Sequence, residues 1–238
     1  MIPFKDDNPT YHVPVVTVFL ILANLAVFLY QWFLGGDPQA FAYRLGTIPW
    51  EITNFRELAE LPAAYRSDVP NVLTLFTSMF VHGGIFHLLG NMLYLWVFGD
   101  NVEAIMGHVR FFLFYIACGL IATLSHIVVE PASTVPMVGA SGAISGVLGA
   151  YFLRFPRARV HVLFVLFFFI RIARVSALFV LGFWFLMQLF NGFGTLGMEG
   201  GGVAWFAHIG GFVAGMLLIL FVEKKERVRV YRRAGWWW

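Results

Sequence analysis

The sequence predicts an all-α membrane protein built as a bundle of six transmembrane helices. Of its 238 residues, 60% are apolar and 12% are charged, about half the charged fraction of soluble domains. The charges are clustered, which leaves several nearly uncharged stretches of about 17 to 20 residues, the length that a bilayer requires of a helix. The chain therefore accommodates one helical bundle and no sizeable soluble domain.

The apolar stretches give six predicted spans, at residues 14–34, 85–99, 111–129, 137–153, 175–193 and 203–222. The connection at 35–71 is long, polar and rich in aromatic residues, so we expect a long outward loop with some helix resting on the membrane surface. We interpret residues 160–170 as an interfacial or partly extended piece. The chain thus divides into a short N-terminal tail (1–13), a six-helix domain (14–222) and a basic C-terminal tail (223–238).

The lysine and arginine residues predict which side of the membrane each end occupies. With both termini inside, 13 of the 16 lie in inner segments and 3 lie in the first outer connection. Cytoplasmic loops carry such an excess, so both termini are expected in the cytoplasm. This distribution also accounts for the basic pI without a nucleic-acid partner. No signal-peptide layout precedes the first span, which favours a plasma (inner) membrane, with an organelle membrane left open.

Three polar residues in different spans are predicted to lie at one depth. Counted from the inner ends at ~1.5 Å per residue, Ser141, His208 and His87 lie about 18 to 21 Å up. Ionisable groups within spans usually face the bundle interior or a wet cavity. A serine hydroxyl becomes a good nucleophile only when a base accepts its proton, and His208 is the candidate base.

Small residues favour close packing of the helices that carry these two side chains. Gly142-x-x-x-Gly146 and Gly211-x-x-x-Gly215 are both of the small-xxx-small type, which lets helix backbones approach each other. Spans four and six are therefore predicted to meet, with the His208 imidazole within hydrogen-bond reach of the Ser141 hydroxyl.

A hydrolase of this kind also needs hydrogen-bond donors for the oxyanion that develops during the reaction. His87 and Asn91 are four residues apart and share one helix face, and the backbone N–H at the start of span four is free by geometry. A metal site formed by His82, His87 and His208 is disfavoured, because no carboxylate lies at that level and the H-E-x-x-H spacing is missing. We therefore expect no metal and no cofactor.

The motifs resemble those of the rhomboid family of intramembrane serine proteases over about residues 75–223. Gly139-Ala140-Ser141-Gly142 matches its GxSG motif, residues 207–211 match the histidine motif of the last core helix, and His82, His87 and Asn91 match HxxxxHxxxN. The resemblance implies that Ser141 is the nucleophile and His208 the base. It also implies that His87, Asn91 and Ala140 bind the oxyanion or substrate, and that four residues near the site are structural: His82, Gly139, Gly142 and Gly211.

The resemblance further implies that the substrates are membrane-anchored proteins whose transmembrane segments are cleaved near the outer face. Four bulky residues are candidates for a lateral gate: Phe179, Phe183, Trp184 and Phe185. The sequence departs from the family at Ser145, where an aromatic residue often stacks on the histidine. Two other functions stay open: a catalytically silent membrane-protein binding or escort protein, and a channel or transporter, for which we find neither inverted repeats nor charged mid-span residues.

Overall fold

The computed structural model describes residues 1–10, 12–67, 69–166, 169–196, 203–224 and 227, and this part of the chain is mostly helical. A short 3-10 helix (Ala63–Tyr65) precedes α4. In chain order, the α-helices of the described part are α1 (Val15–Phe33), α2 (Pro38–Leu45), α3 (Pro49–Asn54), α4 (Asn71–Thr77), α5 (Ile85–Met106), α6 (His108–Val129), α7 (Ser141–Arg154), α8 (Ala177–Gly194) and α9 (Trp205–Val222).

The fold is not all-α, because the chain also forms a three-stranded antiparallel sheet. Its order is β1 (Ile2–Asp6), β2 (Arg159–Leu166) and β3 (Phe169–Ser176). Strand β1 lies within the segment predicted as a short tail. Strand β2 lies in the piece predicted as interfacial or partly extended (160–170), whereas β3 continues beyond it and includes the first two residues of the predicted fifth span. Val160 and Val162 on β2 are fully buried, so burial of this apolar face holds the hairpin against the helices.

Four helices, α1, α6, α8 and α9, are long and apolar enough to cross a membrane. Each of the six apolar stretches in the sequence contains one helix of 14 residues or more. Helix α5 continues to Met106, past the predicted end at 99, because its polar residues have partners: the Glu103 carboxylate accepts hydrogen bonds from the N–H groups of Val16 (2.9 Å) and Thr17 (2.8 Å). These bonds satisfy backbone donors that the first turn of α1 leaves unpaired.

Helices α7 and α9 pack with their backbones in contact. A Cβ atom added at Gly215 would overlap the carbonyl oxygen of Gly146, and one added at Gly211 would overlap the carbonyl oxygen of Gly142. No side chain other than hydrogen fits at these crossing points. The small-xxx-small pattern therefore fixes the distance between the two helices that carry Ser141 and His208.

Two sets of contacts define the two ends of the described bundle. At one end the sheet joins the N-terminus to the α7–α8 connection, Arg154 forms an ion pair with Glu223, and the Lys224 N–H donates to the Ile105 carbonyl (2.9 Å). At the other end the Trp50 N–H donates to the Ser133 carbonyl (3.0 Å), which ties α3 to the α6–α7 connection. Most of the predicted basic tail, and residues 197–202 before α9, lie outside the described residues.

Candidate functional site

Ser141 is the first residue of α7, and the backbone before it is held in place from two sides. The Gly139 N–H donates to the Ser78 carbonyl (2.9 Å), and Thr47 pairs with Met137 through two backbone hydrogen bonds. The Ala140 carbonyl accepts the first hydrogen bond of the helix, from Ile144 N–H (3.0 Å). The Ser141 N–H therefore belongs to the first helical turn, whose donors have no acceptor within the helix.

His208 on α9 reaches Ser141 directly. Its Nε2 atom lies 2.8 Å from the Ser141 Oγ atom, a normal distance for a hydrogen bond. The two residues are 67 positions apart in the chain, and the glycine contacts between α7 and α9 bring them together. This is the geometry in which an imidazole can accept the proton of a serine hydroxyl.

A third side chain, which the sequence reasoning missed, contacts the imidazole from α8. The Oε1 atom of Gln188 lies 2.8 Å from His208 Nδ1, and its Nε2 atom donates to the Trp184 carbonyl (3.1 Å). Gln188 is 6% exposed. The available signal was an amide side chain in a mostly apolar span, since polar groups there usually face the bundle interior.

Two tryptophans lie beside the imidazole, although position 145 carries no aromatic residue. The rings of Trp184 and His208 have centroids 5.9 Å apart, and Trp205 meets His208 edge-on at 6.2 Å. Ser145 is fully buried and donates its hydroxyl proton to the Ser141 carbonyl (2.6 Å). The ring walls thus come from α8 and α9, whereas Ser145 bonds to the backbone of its own helix.

His87 and Asn91 lie beside the turn that precedes Ser141. An ideal Cβ at Gly139 would come within 2.7 Å of His87 Nε2 and 3.6 Å of Asn91 Nδ2. Asn91 is 7% exposed, and its Nδ2 group has no hydrogen-bond partner among the described residues. The structure therefore places two side-chain donors against the backbone that leads into Ser141.

His82 is fully buried, and α1 holds its backbone. Gln31 accepts a hydrogen bond from the His82 N–H (3.3 Å) and donates to its carbonyl (3.0 Å). The His82 ring packs edge-on against His87 at 5.1 Å. This arrangement fits a structural role at the entry to α5, and Gln31 is a contributor that the sequence patterns did not single out.

A cavity of about 800 Å³ lies beside the contact between Ser141 and His208. Besides the polar residues Ser141, His208, His87 and Asn91, its wall includes the aromatic side chains of Trp32, Phe86, Tyr94 and Trp184. Of the four predicted gate residues, Trp184 lines this cavity, Phe185 stacks on Phe212 at 4.5 Å, and Phe179 and Phe183 are exposed. Among the described residues, no group of three or more histidine, cysteine or carboxylate side chains could hold a metal ion.

The arrangement can support acyl transfer. It combines a hydroxyl in contact with an imidazole, backbone and side-chain N–H donors beside that hydroxyl, and a cavity large enough for an extended peptide segment and water. The apolar wall suits a substrate that arrives from a hydrophobic environment.

The chain is similar to known proteins of one family. A family model described as Rhomboid domain matches residues 70–225. The putative rhomboid protease YdcA of Bacillus subtilis is 33% identical over 154 residues, which cover 64% of this chain and 69% of that protein. Rhomboid protein 1, mitochondrial, of Saccharomyces cerevisiae is 28% identical over 198 residues, and RHOMBOID-like protein 1 of Arabidopsis thaliana is 32% identical over 164. The chain spans 54% of the yeast protein and 40% of the plant protein.

Proposed function

The chain belongs to the rhomboid family, and we propose that it is an intramembrane serine endopeptidase with a Ser141–His208 dyad. The observation that carries the proposal is the 2.8 Å contact between His208 Nε2 and Ser141 Oγ beside a large cavity. A multi-pass membrane protein with this contact has the two groups that nucleophilic catalysis needs.

In the proposed reaction, His208 Nε2 accepts the hydroxyl proton as Ser141 Oγ attacks a peptide carbonyl. The N–H of Ser141 and the side chains of His87 and Asn91 donate hydrogen bonds to the oxyanion. His208 then gives its proton to the leaving amine, and an acyl-enzyme remains on Ser141. A water molecule, deprotonated by His208, hydrolyses the ester and releases the second fragment.

The substrates proposed are transmembrane segments of membrane-anchored proteins. The cavity wall is largely apolar and reaches from α1 to α9, so a segment could enter from the lipid. The segment must unwind locally, because the side chains and hydrogen bonds of a helix shield its peptide bonds. Under this proposal residues 14–222 form six spans, the connection at 35–71 faces outward, and both termini are cytoplasmic in a plasma membrane.

The test is covalent labelling of purified protein by a fluorophosphonate probe, together with cleavage of a model single-pass substrate in liposomes. Ser141→Ala and His208→Ala should each lower labelling and cleavage by at least ~10³-fold, because the two residues act as one unit. Matched controls are Ser125→Ala, whose hydroxyl donates to the Ile121 carbonyl one turn earlier (2.7 Å), and His12→Ala at an exposed position.

Equal activity in wild type and both site variants would overturn the dyad. A folded wild-type protein that is neither labelled nor able to cleave would favour the second hypothesis, a rhomboid-like protein that binds or escorts membrane proteins without cutting them. Capture of a transmembrane partner by both the wild type and Ser141→Ala, with no cleavage by either, would be its signature.

A further inference from the structure

The geometry points to Gln188 as a positioning residue that holds the His208 ring in the tautomer and orientation needed to accept the Ser141 proton. This inference rests on the proposed function and adds a third side chain to the dyad. Gln188 itself contacts the imidazole on the side away from Ser141, so it acts through His208 and has no role in bond making.

The two nitrogens of the His208 imidazole must play different hydrogen-bonding roles. A neutral imidazole carries one proton, so one ring nitrogen donates and the other accepts. To take the proton of Ser141, Nε2 must be the acceptor, and Nδ1 must then carry the hydrogen. The partner of Nδ1 must therefore be an acceptor, because a donor there would force the opposite tautomer.

Gln188 meets this requirement only in one of its two amide orientations. With Oε1 towards His208 Nδ1 (2.8 Å), its NH₂ group points at the Trp184 carbonyl (3.1 Å) and donates to it. A flipped amide would set two donors against Nδ1–H and its own carbonyl oxygen against the carbonyl of Trp184. Both contacts would be repulsive. The Trp184 carbonyl therefore determines the orientation of the Gln188 amide, and the amide oxygen in turn determines the tautomer of the imidazole.

Two tryptophan rings also restrict the orientation of the His208 side chain. Trp184 and Gln188 are four residues apart, so one face of α8 supplies both a ring wall and the acceptor for Nδ1. Trp205 meets the imidazole from the helix that carries it. Three contacts thus restrict a side chain that would otherwise rotate about two bonds, which lowers the entropy lost on reaching the reactive geometry.

A neutral amide is also better suited than a carboxylate to this buried position. A buried carboxylate carries a large desolvation penalty, whereas an amide oxygen accepts the same hydrogen bond without a charge. The amide orients the ring as the carboxylate of a Ser-His-Asp triad does, but it gives less stabilisation to the imidazolium that forms during the reaction. Replacing the amide by a carboxylate should therefore change the pH dependence of the reaction.

The experiment compares Gln188→Met, Gln188→Glu and wild type in the full chain, by the pH dependence of fluorophosphonate labelling and by kcat and KM on the model substrate. Gln188→Met keeps the volume and removes the acceptor, so kcat should fall by about 10- to 100-fold with KM nearly unchanged. Gln188→Glu keeps an acceptor and adds a charge that stabilises the imidazolium. It should retain labelling and move the acid limb of the pH profile to higher pH.

Gln39→Met, at an exposed position on α2, is the matched control and should behave as wild type. A purely structural role for Gln188 predicts the reverse pattern, with Gln188→Glu the worse variant and no movement of the pH profile. Wild-type kcat and an unmoved pH profile in both Gln188 variants would overturn the inference while leaving the dyad intact. Failure of the wild type to label would instead remove the proposed function, and this inference with it.

Discussion

At the scale of single residues, Gly139 shows why the nucleophile motif needs glycine before the serine. Its φ angle is +120°, in the region that L side chains rarely adopt, and an ideal Cβ would come within 2.7 Å of the His87 ring. Strain and steric overlap therefore act together at this position. The backbone at Gly139, two residues before Ser141, therefore packs so closely against the His87 side chain that no larger residue fits there.

Gly139→Ala should lower the rate of fluorophosphonate labelling by at least ~10-fold, because the new methyl group must displace either His87 or the backbone that leads to Ser141. Gly194→Ala, at the last residue of α8, is the control: no atom lies within 4 Å of its ideal Cβ, so labelling and stability should stay close to those of the wild type. Labelling rates and thermal unfolding of both variants in detergent give the comparison. Wild-type labelling of Gly139→Ala would show that the fit to His87 is not needed.

Sequence reasoning could single out most, but not all, of the residues that meet at the candidate site. Counting from the ends of the spans places Ser141, His208 and His87 at one depth. The four-residue spacing of His87 and Asn91 predicts that they share one helix face. Gln188 belongs to no such motif: it lies 20 positions before His208 in the chain, and only the packing of α8 on α9 brings the two side chains together. The choice among lone polar residues in apolar spans depends on helix rotation, which periodicity in these uniformly apolar helices does not fix.

At the scale of elements, the sheet is the part of the fold that sequence reasoning found only in part. The sequence predicts an interfacial or partly extended piece at residues 160–170, but it predicts only a tail where β1 forms. Five residues that include Pro3 are too short for a clear alternating pattern, and the partner strand lies more than 150 positions away. The strand forms because tertiary contacts hold it: the hydroxyl of Tyr151 on α7 donates to the Asp6 carboxylate.

Asp6 makes the attachment of β1 sensitive to pH. Its carboxylate accepts hydrogen bonds from Tyr151 and from the Asn101 side chain (3.3 Å), both neutral donors. Burial, reinforced by the nearby Asp100 carboxylate, raises the pKa of Asp6 from 3.8 to about 7. The folded protein therefore keeps a proton that the unfolded chain releases between these values, so stability falls as pH rises through that window.

Asp6→Asn should remove this dependence, because an amide keeps an acceptor for Tyr151 and cannot ionise. In thermal unfolding from about pH 5 to about pH 8, wild type should lose stability relative to Asp6→Asn. Since each pKa unit corresponds to about 1.4 kcal/mol and about two units of the window lie above pH 5, the difference is at most ~3 kcal/mol. Glu57→Gln, at an exposed position, should keep the wild-type profile. Parallel pH profiles for Asp6→Asn and wild type would mean that Asp6 is ionised throughout.

At the scale of the whole molecule, the contacts and the charge distribution give the same grouping of ends. The sheet places the N-terminus beside the α7–α8 connection, and Arg154 pairs with Glu223 at the end of α9. The lysine and arginine excess lies in these same segments, whereas the α6–α7 connection at 130–136 has none. The contacts therefore group these segments at one end of the molecule, and the excess of positive charge there favours the cytoplasmic side for that end.

This orientation predicts opposite accessibilities for two engineered cysteines. Cys118, the native cysteine, is fully buried, so it should contribute little background. Thr134→Cys on the α6–α7 connection and Ile172→Cys on β3 both place a thiol at an exposed position. In intact bacterial cells that express the protein, a membrane-impermeant maleimide should label Thr134→Cys, and it should label Ile172→Cys only after permeabilisation. The reverse pattern would place the Ser141 end of α7 towards the cytoplasm, and cleavage would then have to occur near the inner face.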